Sequence, residues 1–129
     1  MATALPSVPV QGVIDNSREG GYLAHQYYII LSRPAGALEP VFEYLQPHLA
    51  YHEKLEADGI EIAAGPIWSA DGKSWEGAGM IVVEAASVAE ADALAAADPM
   101  HTSGARTYEI SPWMVNHGNP MPFGARGNS

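Results

Sequence analysis

Cysteine is absent from the 129-residue sequence. That absence excludes disulfides, thiol nucleophiles and cysteine-ligated zinc or iron–sulfur centres. Positive charge is scarce: six Lys and Arg stand against fifteen Asp and Glu, for a net charge of −9. A polyanion is bound by cations that neutralise its phosphates, so neither nucleic acid nor an anionic membrane surface is an expected partner. Long apolar runs are missing as well. The longest, Tyr27–Leu31, is far shorter than the roughly 20 residues of a membrane-spanning helix. The opening Met-Ala-Thr-Ala-Leu-Pro has neither a basic flank nor an apolar stretch of signal length before Asp15 and Arg18, and a cytoplasmic location is expected.

What is present suffices for one hydrophobic core. Hydrophobic residues make up 47% and charged residues 16%, in a chain of single-domain length. Residues 1–24 contain Pro6, Pro9, Gly12, Gly20 and Gly21 with little periodicity and read as an extended N-terminal arm. Residues 116–129 repeat that composition and read as a C-terminal tail. The domain proper is expected over 25–115, and its chemistry must come from His, Asp, Glu, Tyr and backbone groups.

Within that span the signals alternate. Gln26–Ser32 is β-branched and aromatic and predicts a strand. Leu38–Asp58 has helical spacing and stops at Gly59, with a kink or a broken first part expected near Leu45 because Pro47 interrupts it. A second strand is predicted over Ile60–Ala64, closed by Gly65-Pro66. A polar loop then runs over Trp68–Glu76 around an Asp71-Gly72 turn. Gly79–Ala85 predicts a third strand. Ser87 and Glu90 form a capping box for a second helix that stops at Asp98-Pro99. Thr107–Trp113 predicts a fourth strand. The order is that of an α+β, ferredoxin-like βαββαβ sandwich with both helices on one sheet face. Tyr27–Leu31 and Met80–Val83 are nevertheless apolar on both faces, so a second copy is expected over the open face, giving a homodimer with sheets packed together.

On a helical wheel, Val41, Leu45, Leu49 and Leu55 define the buried side of the first helix, flanked by Phe42, Tyr44 and Tyr51. His48 and His52 fall inside that arc. Two imidazoles on a packing face require partners. Asp98 shares a face with Ala91, Leu94 and Ala95 on the second helix, where the helix C-terminus disfavours a carboxylate. Helices of this fold lie side by side, so His48 and Asp98 are candidates for a pair. His48, His52 and Glu56 have an i, i+4, i+8 spacing that could reach a metal from one side, but beyond His101 or Asp98 no third strong ligand is evident, and no metal is expected. Gly77-Ala78-Gly79 leads into a strand rather than a helix N-terminus and is no phosphate loop. Tyr27 and Trp113 are aromatic candidates for contact with a ring ligand.

His48-Leu49-Ala50-Tyr51 on a helix, Ala64-Gly65-Pro66 after a strand, Ala97-Asp98-Pro99 ending a helix and Pro112-Trp113 in the last strand together resemble the YciI-like (YCII-related) family over about residues 26–114. The resemblance implies a ferredoxin-like fold paired into a dimeric α/β barrel. It also implies a His–Asp pair in a pocket, at His48 and Asp98, with isomerase, lyase or dehydrochlorinase roles in the breakdown of chlorinated or hydroxylated aromatics. His52 and His101 depart from the family pattern, standing where it is usually apolar. The expected function is a cofactor-free acid–base enzyme for a small cyclic or aromatic-derived metabolite. His48 would move the proton, Asp98 would orient it, and His52, His101, Tyr27 and Trp113 would contact substrate. A non-catalytic binding module and a cofactor-independent oxygenase are the alternatives.

Overall fold

The β-branched and aromatic run after Ala24 forms the first strand, β1 (His25–Pro34), and the remaining strands assemble around it. The computed structural model describes residues 6–119. Beyond β1 the chain continues through α2 (Glu39–Glu43), α3 (Leu45–Ala57), β2 (Glu61–Trp68), β3 (Trp75–Val83), α4 (Val88–Ala96), α5 (Pro99–Thr102) and β4 (Arg106–Val115), preceded by α1 (Val10–Glu19). The strands make one antiparallel sheet in the order β2-β3-β1-β4, which is the expected ferredoxin-like α+β arrangement. Among the described residues, no helix is long and apolar enough to cross a membrane.

Alternation along the strands separates two faces. Tyr28, Ile30, Ile81, Val83, Tyr108 and Ile110 pack with Ala91, Leu94 and Ala95 of α4 as the main core. The other face carries Tyr27, Ile29, Leu31, Met80 and Trp113, and the last two are 38% and 41% exposed.

Local chemistry explains the helix boundaries. Tyr44 interrupts the long helical pattern at φ −99°, ψ 10°. The break places Pro47 in the first turn of α3, where its missing N–H costs nothing. At the other end Gly59 adopts φ +76°, its N–H reaching the Glu56 carbonyl and that of Ile60 reaching Leu55, a Schellman stop. Ser87 caps α4 by accepting from the Glu90 N–H at 3.1 Å, while the Glu90 carboxylate accepts from the Ala86 N–H.

Several boundaries differ from the sequence reading. The N-terminal arm is not extended: Val10, Val13, Ile14 and Ser17 recur at helical spacing, form α1, and bury Ser17. Asn116 ties this helix to the end of β4, donating to Ser17 Oγ and accepting from the Ala24 N–H, both at 3.1 Å. Residues 1–5 and 120–129 of the expected arm and tail lie outside the described residues. β2 continues through Gly65-Pro66 to Trp68, because an edge strand tolerates a residue without an N–H. β3 starts at Trp75, and the Trp68–Trp75 pair reduces the expected loop to a tight turn. Phe42 and Leu49 are 56% and 42% exposed rather than buried, since the side of α3 carrying Leu49 borders a cavity.

Candidate functional site

That cavity, about 470 Å³, opens between α3 and the β2–β3 half of the sheet. Leu45, His48, Leu49 and His52 line it from the helix, and Ile81, Gly79 and Arg106 line it from the sheet. The spacing of His48 and His52, one helical turn apart, puts both on the cavity side. Tyr51 fastens this helix in place, its hydroxyl donating to the Leu94 carbonyl of α4 at 2.7 Å.

Asp98 is the hub of the polar groups beneath the cavity. It is 1% exposed. His48 Nδ1 lies 2.9 Å from Oδ1 and 3.0 Å from Oδ2, and His52 Nε2 lies 2.6 Å from Oδ2. The Met100 N–H donates to Oδ1 at 2.8 Å. The last contact removes the dipole penalty expected from the sequence: Asp98 follows α4 but serves as the N-cap of α5, the favourable end of a helix for a carboxylate. Burial pushes the Asp98 carboxyl upward, yet hydrogen bonds from His48, His52 and the Met100 N–H outweigh it and hold the group well below the usual carboxylate range.

His52 lies between two carboxylates, with Nε2 on Asp98 and Nδ1 on Glu61. Carboxylates only accept, so both ring nitrogens must carry protons. Burial disfavours that charge, but hydrogen bonds to Asp98 and Glu61 prevail and raise the imidazole to about 9. His48 differs. Its Nδ1–H donates to Asp98, and among the described residues its Nε2 has no hydrogen-bond partner, on a ring that borders the cavity. A chain Glu61–His52–Asp98–His48 therefore ends in a nitrogen able to take and return a proton. His48, His52 and Asp98 also place ligand atoms within 4.8 Å of one another, a set that could hold a metal ion. A cation there would have to displace the proton that joins His52 to Asp98.

The other expected contacts are not brought to this cavity. His101 donates from Nδ1 to the Ala95 carbonyl at 2.6 Å and accepts at Nε2 from the Ser32 hydroxyl at 2.7 Å. With both nitrogens used, it joins α5 to the sheet, and burial pushes its pKa down, favouring the neutral ring. Tyr27 and Trp113 pair with each other on the opposite sheet face, ring centroids 6.4 Å apart, because their strand positions alternate away from Tyr28 and Ile110. Trp113 also borders a separate cavity of about 220 Å³ beside Val10, Val13 and Ile14.

Two residues that line this cavity escaped the sequence reading, Glu61 and Arg106. Glu61 is buried, and the only hint of this was a carboxylate between Ile60 and Ile62 at the start of a strand. Arg106 is 4% exposed, and its Nε donates to the Gly77 carbonyl at 2.8 Å. Gly77 has φ +95°, and a Cβ there would stand 2.6 Å from Leu38 Cδ1 and Pro34 Cγ. Gly77→Ala is thus expected to cost about 1–3 kcal/mol through forbidden backbone geometry and to loosen Arg106. Urea unfolding measures the first effect.

The YCII-related domain model matches residues 26–114. Among solved structures, the chain is similar to 5-chloro-2-hydroxyhydroquinone dehydrochlorinase (TftG) from Burkholderia phenoliruptrix AC1100, in complex with 2,5-dihydroxybenzoquinone. The match has a TM-score of 0.57 and 25% identity, and it covers 73% of this chain and 96% of that one. No curated protein matches.

Proposed function

The chain belongs to the YCII-related domain family, and from that premise we propose that it is an acid–base lyase acting on a small hydroxylated six-membered ring. The observation that carries this reading is the His48–Asp98 hydrogen bond at 2.9 Å, on a ring whose Nε2 has no hydrogen-bond partner among the described residues and which borders an apolar cavity. In the reaction, Nε2 removes the proton of a ring hydroxyl and returns it to the halogen-bearing carbon, giving a ketone in which that carbon is tetrahedral. Nε2 then takes a second hydroxyl proton, and the electrons released move through the ring and expel the halide as the carbon–halogen bond breaks, leaving a quinone. The imidazolium then passes its proton to water, so substrate becomes product plus HX. Asp98 holds the ring by its Nδ1–H and stabilises the imidazolium, and doubly hydrogen-bonded His52 keeps Asp98 anionic. A base poised in this way contributes about 10²–10⁴-fold to the rate.

The similarity to TftG makes 5-chloro-2-hydroxyhydroquinone the first substrate to try. Purified protein is expected to release one chloride per ring consumed. Chloride release no faster than in buffer, across a panel of halogenated hydroquinones, would reject the lyase reading. A ligand bound tightly and recovered unchanged would replace it with a binding module.

A second copy of the chain is the proposed cover for the face bearing Tyr27, Ile29, Leu31, Met80 and Trp113, since a sheet face exposed to water would alternate apolar with polar residues. Light scattering is expected to give twice the 13.7 kDa chain mass, and Ile29→Glu is expected to return the monomer. A monomeric wild type would remove this assembly.

A further inference from the structure

Arg106 is a buried cation, 4% exposed. Among the described residues, no ion pair joins its guanidinium to a carboxylate, and its one hydrogen bond runs from Nε to the Gly77 carbonyl. Nη1 lies across Gly79, where a Cβ would sit 3.5 Å away, and Gly79 also lines the cavity. Among the described residues the other four guanidinium donors have no hydrogen-bond partner, on a side chain 4% exposed. A guanidinium so little exposed, with its free donors reaching the cavity it lines, gains from an anionic acceptor there.

The protein cannot readily supply it. Asp98 is close enough to attract Arg106, but both its oxygens are taken by His48, His52 and the Met100 N–H. The remaining cavity charges are unevenly placed. Cationic His52 is flanked by Asp98 and Glu61, leaving that wall net negative, and Glu53 and Glu56 lie on the same helical side. Arg106 is the one Lys or Arg among the described residues lining the cavity. An anion entering it is repelled from one wall and drawn to one end.

We propose that Arg106 is the anion subsite of this cavity, its Nη groups binding a delocalised oxyanion on a planar ring: a phenolate, an enolate or a vinylogous carboxylate. The flat guanidinium fork suits two oxygens sharing a charge better than a point anion such as chloride. Binding there selects which ring edge meets His48 and raises the acidity of the ring. The inference rests on the reading of this cavity as the substrate site.

The test compares two six-membered rings by titration calorimetry at pH 7. 2,5-Dihydroxybenzoquinone is a vinylogous carboxylic acid and ionises readily, whereas hydroquinone is an ordinary phenol that stays neutral until about pH 10. The wild type is expected to bind the anion at least about tenfold more tightly. Arg106→Gln is expected to lose about tenfold or more of that affinity while hydroquinone affinity stays within about twofold, and Arg106→Lys is expected to fall between them. Should Arg106→Gln fail to fold, the wild-type comparison and Arg106→Lys decide. Equal binding of the anion by wild type and Arg106→Gln, or a wild type with no preference for the anion, overturns the proposal. Chloride-release assays on the same samples separate the two readings. Arginine-dependent binding without turnover rejects only the lyase, whereas turnover with arginine-independent binding rejects only the subsite.

Discussion

His48→Gln is expected to lower kcat/KM for ring elimination by about 10³-fold, within the range for loss of a positioned general base, while the protein stays folded. The amide keeps an N–H for Asp98 but offers no basic nitrogen to the cavity. Asp98 retains its bonds to His52 Nε2 at 2.6 Å and to the Met100 N–H at 2.8 Å, so the hub survives. His48→Ala opens space beside an already roomy cavity, and added imidazole is expected to restore part of the activity there but none in His48→Gln. Steady-state kinetics with circular dichroism measures both effects. Wild-type activity in folded His48→Gln would end the proton-transfer mechanism.

Asp98→Asn is expected to cost about 3–5 kcal/mol, the range for removing one partner of a buried charge pair. At this chain length the loss corresponds to a Tm lower by on the order of 10–20 °C. Asn keeps one acceptor oxygen for the several donors that now converge on the carboxylate, and it leaves cationic His52 with Glu61 alone. The same unit sets a pH dependence. The His52 pKa rises on folding from 6.5 to about 9. Its contribution is therefore complete below pH 6.5 and lost as pH climbs through 9, and amounts to about 3 kcal/mol. That energy belongs to the coupled Glu61–His52–Asp98 unit rather than to one residue. Asp98 has the opposite sign: its folded pKa is depressed, so its contribution is present above about pH 4 and disappears on further acidification. His101 also has a depressed pKa, and it favours the folded state above pH 6.5 and weakens it below. Denaturant titrations at pH 6.5, 7.5 and 9.5 are expected to show falling stability, with a smaller fall in His52→Gln. A flat profile in the wild type would contradict the doubly protonated His52.

Much of the frame was legible because it depends on local chemistry. Strand and helix order, the Ser87–Glu90 capping box, the interruption before Pro47 and the Gly59 stop each arise from residues within one or two turns. His48 and Asp98 could be paired on paper because helical spacing puts each on an inward side. The same reasoning failed for α1, where glycine and proline obscured the Val10, Val13, Ile14 and Ser17 pattern. It also failed for His101, whose partners Ala95 and Ser32 lie on different elements.

The sequence by itself determined the secondary elements, the acidic surface, the absence of thiol chemistry and the two imidazoles side by side on one helix. Only the tertiary structure decided what those groups face. Asp98 became a helix N-cap shared by two histidines, Glu61 came up beneath His52, and Arg106 reached across the sheet to the Gly77 carbonyl while also lining the cavity. Periodicity records which residues share a face over a few residues of chain. A site assembled from positions 48, 61, 98 and 106 depends on how distant segments close together, and no local pattern carries that information.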